Sequence, residues 1–375
     1  MKKAVPVLVS SLLALVVLSL SGCFFSSGGG GPRFLYVGNT ASPAAMSALT
    51  AASGSLTPIT GSPFDTAGNS PLTLAGVSNR FLYAAVPSSN GTAAGGILLM
   101  PIHGDGSLGA AQLLASGGDY DGIAVTPNGK FLYAADVAGS RVVAFSIDPN
   151  TGALTGIGPQ GPPPGVGVGP DPFNLTVDRQ GKFLFVASCG CVTSSGQGIW
   201  VFSINADGTL TTVPESPFSL PAAGSTPQPS DLVVSPDGTL LFVSSYDDKV
   251  YVESINAVSG ALSSAATPVS LPAGSAPGSV RTSTDGKFVY TADGGTGNLS
   301  MLTVGAGGAL TDQGEVAVGG SPAVVLADPS GGFLYATNFD QNSVVVYSIG
   351  SDGRLTQTAS VSTGGTGPFG LAWSH

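Results

Sequence analysis

Residues that commonly do chemistry are scarce in this sequence. Its 375 residues include two histidines, His103 and His375, three cysteines, Cys23, Cys189 and Cys191, and three glutamates, Glu215, Glu253 and Glu315. Cys189 and Cys191 flank Gly190 and could close a tight disulfide in an oxidising compartment. No further Cys or His lies near them to complete a zinc set, so no metal site is expected. A Gly-x-Ser-x-Gly nucleophile elbow and a Cys-x-x-Cys-His haem-attachment run are both missing, and no cofactor is expected. What remains is carboxylate chemistry, in which an Asp or Glu activates water and a cation or hydrogen-bond donor holds developing negative charge. Which carboxylate and which cation could meet depends on the elements that carry them.

Composition limits those elements. Gly (56) and Pro (28) fill more than one position in five, which excludes helical bundles and coiled coils. A hydrophobic content of 42% is enough to offset chain entropy, so the chain is not a disordered polymer. A net charge of −10 with no basic stripe excludes nucleic acid as a partner. The class left is all-β, with many short strands joined by Gly/Pro turns.

Internal repetition makes this specific. A strand of aromatic, aliphatic and small residues recurs as FLYVGN at Phe34, FLYAAV at Phe81, FLYAAD at Phe131, FLFVAS at Phe183, LLFVSS at Leu240, FVYTAD at Phe288 and FLYATN at Phe333. Around it fall an opening strand and a tight turn such as Pro236-Asp237-Gly238, then a third strand such as Val344 to Ile349. A fourth strand starts at Leu154, Leu210, Leu262, Leu310 or Leu355. Seven four-stranded meanders arranged radially form a seven-bladed β-propeller. Unit one lacks its opening strand, and Pro368 to Trp373 is an orphan opening strand. The C-terminal strand is therefore expected to complete blade one and close the ring.

Columns shared by most blades are structural. The aromatics Tyr36, Tyr83, Tyr133, Phe185, Phe242, Tyr290 and Tyr335 are expected to fill the gaps between blades. The polar residues Asn39, Asp136, Ser188, Asp293 and Asn338 are expected to cap the next loop. Function should lie where blades differ. One face is expected to collect Asp65, Asp119, Tyr120, Asp121, Asp171, Tyr246, Asp247, Asp248, Lys249, Asp340 and Asn342, with the irregular loop Pro159 to Pro172. Most of these Asp residues read as turn formers, and no compact calcium-loop motif is present. Arg281 breaks its column, which elsewhere holds Ala75, Ala124, Thr176, Val233, Leu326 and Ala372. Glu253 breaks another, among Met100, Phe145, Phe202, Leu302 and Tyr347. A Glu253–Arg281 pair is conceivable, and Asp121 or Asp231 could act as base beside Arg281.

The repeated SPDGK-FLYVAN-like pattern, across residues 32–375, resembles the seven-bladed lactonase-type propellers and their YVTN-repeat relatives. The resemblance implies lactone hydrolysis at the channel mouth by Arg, His and Glu side chains. This chain departs from that set. His103 falls in a turn on the opposite face, His375 is the last residue, and Glu is rare. Two functions follow. The leading expectation is a loop face that binds an unknown envelope protein, glycan or small ligand. The alternative is a lactone (carboxylic ester) hydrolase resembling 6-phosphogluconolactonase-type propellers, with an Arg/Asp site.

Residues 1–22 form a separate device: Lys2 and Lys3, an apolar run from Ala4 to Leu20, then Leu20-Ser21-Gly22-Cys23. The layout is that of a signal peptide, and its end resembles a bacterial lipobox, which implies cleavage before Cys23 and lipidation of its thiol. Residues 23–31 then read as a lipidated Cys with a Gly/Ser tether. The expected protein is a monomeric propeller, exported and held to the cell envelope by its lipid alone, with the outer membrane or periplasmic face as its place. Feeding cells a clickable fatty acid should label the wild type and leave Cys23→Ser unlabelled; equal labelling of both would remove the anchor.

Overall fold

A computed structural model describes residues 33–88, 95–158, 165–191, 197–222 and 224–374. The leader, Cys23, the tether, His375 and part of the Pro159–Pro172 loop lie outside the described residues. The described chain is a seven-bladed propeller of antiparallel sheets. In order from blade one, the innermost strands are Pro368–Trp373, Leu74–Val77, Tyr120–Val125, Pro172–Val177, Pro229–Val234, Pro277–Thr282 and Pro322–Ala327. Each touches the innermost strand of the next blade, and the sequence of contacts returns to its start. Pro368–Trp373 pairs with Arg33–Asn39 from the start of the propeller, so the orphan C-terminal strand does close the ring.

Three blades depart from the plain meander. In blades one, three and five the outer edge is two short segments that pair with the same third strand. Pro63 falls in the break of blade one and Pro268 in that of blade five. A proline cannot donate to the ladder, and such interruptions suit an edge strand that must not recruit another chain.

The core lies between blades. Seven apolar clusters occur among the described residues, each shared by two adjacent blades, and the seventh joins blade seven to blade one. The predicted aromatic column is buried in these interfaces. Its tyrosines do more than fill space. Tyr36, Tyr83, Tyr133 and Tyr290 each donate a hydrogen bond of 2.7–3.1 Å to a glycine carbonyl of the next blade, at Gly106, Gly152, Gly208 and Gly353. The ring at the start of the same strand sits against the same glycine, as Phe288 does against Gly353. Across the closure, Phe333 of blade seven covers Gly54 of blade one. Gly353 has φ 81°, and a Cβ there would enter the Phe288 ring. Gly353→Ala therefore combines left-handed strain with overpacking and should cost about 2–4 kcal/mol, read as a lowered denaturant midpoint with an unchanged m-value.

The polar column also behaves as expected. Asn39 donates to the Ala45 carbonyl at 3.2 Å, Asp136 accepts from Gly139 N–H at 3.2 Å, and Asn338 accepts from Gln341 N–H at 3.2 Å. Two members differ: Ser188 donates to the Pro170 carbonyl of the preceding loop at 2.6 Å, and Asp293 bonds mainly to the hydroxyls of Thr291 and Ser300.

Candidate functional site

The innermost strands carry a shared irregularity. In six blades the register between the first and second strands slips at the top, where a bulge leaves one or two residues unpaired. Asp121, Phe173, Gly278 and Ala323 are among these extra residues. A bulge re-aims side chains that a regular pleat would send into the blade interface. All four line one cavity of about 300 Å³ at this end of the innermost strands. The size is at the lower end for small-molecule sites.

The lining is divided. Most polar groups come from blades three to six, namely Asp121, Asn174, Asp231, Tyr246, Ser279 and Arg281, and Thr73 of blade two and Ser321 of blade seven add hydroxyls. Leu72, Leu74, Val324, Phe339, Phe369 and Leu371, from blades seven, one and two, form the apolar side.

A chain of hydrogen bonds crosses three blades on the polar side. Asn174 Nδ2 donates to Asp231 Oδ1 at 2.7 Å, and Arg281 Nη1 donates to Asp231 Oδ2 at 2.5 Å. Arg281 Nη1 also reaches the Val280 carbonyl at 2.6 Å. Backbone N–H groups of Leu232 and Val280 complete the shell of Asp231 at 2.8 and 3.1 Å. Nε and Nη2 of Arg281 have no partner among the described residues. The expected association of Arg281 with a carboxylate thus exists, but the carboxylate is Asp231.

The two aspartates proposed as bases are not equivalent. Asp231 is buried and accepts four hydrogen bonds, one of them from a cation, so its oxygens are committed. The Asp121 carboxylate accepts none among the described residues, while its backbone carbonyl is fixed by Thr73 Oγ1 at 2.6 Å. Burial, with a smaller contribution from Asp119, pushes the Asp121 carboxyl up to about 6. A carboxylate with unfilled acceptors and this affinity for protons is the better base near neutrality. Tyr246, held edge-on to Phe173 with ring centroids 6.1 Å apart, has its hydroxyl pushed up to about 12 by burial and then by Asp231 and Asp121. It is a neutral donor at physiological pH.

Other expectations need correction. Glu253 lies on the strand Lys249–Ile255, paired with Leu241 and Ser264, away from the cavity. It forms no pair with Arg281, and its buried Oε1 has no partner. Alternation along this strand places it on the same face as Tyr251, in the apolar interface of blades four and five. Tyr120 belongs to the core between blades two and three rather than to the loop face. Lys249 is buried and ion-paired with Asp247 at 3.0 Å.

Several loop carboxylates are taken up by backbone N–H groups of their own turn or of a neighbouring loop. Asp248 accepts from the backbone of Gly274 and Ala276, Asp340 from Ser321, and Asp65 from Ala67. His103 sits in an exposed turn with Ser107, far along the blade from the cavity. Cys189 and Cys191 are joined as a disulfide, with their Cα atoms 5.1 Å apart. No group of three or more His, Cys, Asp or Glu able to hold a metal occurs among the described residues.

Sequence reading passed over Asn174 and Ser279. Each occupies the column of Asp231, two places before that of Arg281, and polarity in that column was the available signal.

A closed ring of seven blades, with a divided cavity at the mouth of its axis, defines a seven-bladed β-propeller. The chain belongs to the family described as Lactonase, 7-bladed beta-propeller, whose model matches residues 172–276 and 264–367. A 6-phosphogluconolactonase of Klebsiella pneumoniae is 33% identical over 114 residues, 30% of this chain and 31% of that protein. One from Erwinia tasmaniensis is 32% identical over 122 residues, 32% of this chain and 33% of that protein. The similarity thus spans about a third of these relatives' length. Among solved structures, the periplasmic gluconolactonase of Pseudomonas aeruginosa superposes with a TM-score of 0.70 at 17% identity, covering 92% of this chain and 99% of that one. A Lactobacillus plantarum protein gives 0.72 at 20% identity with the same coverage. Likeness at these identities concerns the fold.

Glu253 provides a test of the interface reading. Burial pushes its carboxyl up to about 7, above the ordinary 4.5. A folded-state value raised in this way leaves stability undiminished below about pH 4.5 and lowers it as pH rises toward 7. Above pH 7 the loss should reach about 3 kcal/mol. Glu253→Gln should therefore stabilise the protein at pH 8 and make little difference at pH 4, measured by denaturant unfolding at both.

Proposed function

We propose that this protein is a lactone hydrolase whose site is the cavity at the channel mouth, and that the loop-face binding platform is the weaker reading. Family membership supports this, together with the named activity of the partial relatives. The observation that carries it is an Asp121 carboxylate with unfilled acceptors lining the same cavity as Arg281, whose guanidinium Asp231 fixes.

In this mechanism Asp121 takes a proton from water as the water oxygen bonds to the lactone carbonyl carbon. Nε–H and Nη2–H of Arg281, with the Tyr246 hydroxyl, stabilise the oxyanion that forms. Collapse of the intermediate breaks the bond to the ring oxygen. That oxygen receives the proton from Asp121, and the product is a hydroxy acid. Asp231 is a positioning residue: it fixes the guanidinium and links it to Asn174. The export and lipid anchoring expected from residues 1–23 belong to the same proposal, which places hydrolysis outside the cytoplasm.

Hydrolysis of a lactone panel by the purified protein tests the reading. kcat/KM should rise with pH and level off above about 6, as Asp121 loses its proton. Asp121→Asn should lower it about 10²–10⁴-fold, and Arg281→Ala about 10²–10³-fold, with folding monitored by thermal unfolding. Absence of turnover by folded wild type, or full activity in Asp121→Asn, would defeat the proposal.

A further inference from the structure

We infer that the cavity is built for an uncharged lactone carrying a hydrocarbon substituent, and that it discriminates against phosphorylated or polyhydroxylated sugar lactones. The inference rests on the lactonase reading and adds the substrate class. Its first basis is charge. Among the described residues, Arg281 is the only basic side chain lining the cavity, and it is already paired with Asp231. Asp121 is the other ionisable carboxylate there, so a phosphate dianion would meet two carboxylates and one engaged guanidinium. Unpaired like charge in a partly dry site is a strong means of rejecting a ligand.

The second basis is the arrangement of the walls. The reacting groups all stand on blades three to six, whereas Leu72, Leu74, Val324 and Phe369 offer hydrocarbon from the opposite blades. A sugar lactone held by Arg281 would turn its hydroxyls toward a wall whose two hydroxyls, Thr73 and Ser321, already donate to the Asp121 carbonyl and to Asp340. An alkyl chain on a five- or six-membered lactone would lie along that wall. Phe339 continues it to the rim, where its side chain is 38% exposed, one of two large hydrophobic residues so exposed among the described residues. One edge of the ring lies against Gly367, and the exposed remainder extends an apolar track for a chain longer than the cavity.

The measurement compares three probes on the purified protein, γ-decalactone, glucono-δ-lactone and 6-phosphogluconolactone, by turnover and by calorimetric binding to Asp121→Asn. The expected result is kcat/KM for γ-decalactone at least tenfold above both sugar lactones, with the same order in affinity. Phe339→Ser should lower kcat/KM for γ-decalactone about tenfold through KM, with little change for glucono-δ-lactone, in a protein still folded by thermal unfolding. Sugar lactones turned over as well as or better than γ-decalactone would overturn this inference and leave the lactonase reading standing. Tight binding of γ-decalactone without turnover by wild type would defeat the lactonase reading and uphold the cavity's preference. Failure of γ-decalactone both to bind and to react would overturn the inference outright.

Discussion

The contact between one blade's aromatic strand and the next blade's glycine turn is the interaction on which this structure depends. Among the described residues no blade has a core of its own, since the apolar clusters all lie between neighbours. Phe288 against Gly353, with Tyr290 bonded to the Gly353 carbonyl, therefore sets both the spacing and the tilt of adjacent sheets. The contact of Phe333 with Gly54 does the same across the closure, where the two ends of the propeller chain meet. A ring closed in this way has no free sheet edge facing the next blade, and its axis becomes a rigid frame.

That frame makes the cavity possible. Six innermost strands slip register at the same height, which turns a few residues out of the interfaces and toward the axis. The bulge is repeated, but its occupants are not: Asp121 in blade three, Phe173 in blade four and Gly278 in blade six. A nearly symmetric scaffold thus carries an asymmetric site. The Asn174–Asp231–Arg281 chain ties three blades together at that height, and four hydrogen bonds hold Asp231 fixed beside its cation. Asp121 stands outside the chain and keeps its acceptors open.

Two carboxyls show how desolvation acts in different settings. Asp121 and Glu253 are both pushed upward by desolvation, to about 6 and about 7. Asp121 lines a cavity where a water can be its partner, so the shift is useful to a base. Glu253 lies in an apolar interface with an unpartnered oxygen, and the same shift is only a cost to stability at higher pH.

The sequence by itself determined the architecture, because a repeat writes its packing rules seven times. The aromatic column, the capping column and the orphan strand Pro368–Trp373 could be read from spacing alone, since hydrophobic period and turn chemistry are local properties. It also exposed Arg281 as the residue that breaks its column. The partner of Arg281 was decided by tertiary structure, which chose Asp231 on the neighbouring strand over Glu253. Pairing across blades depends on the register of bulged strands, and no local pattern encodes it. The same holds for the division of roles between Asp121 and Asp231, for the burial of Tyr120, and for the apolar wall from Leu72 to Phe369. Residues nearly 300 positions apart share that wall only because the ring closes.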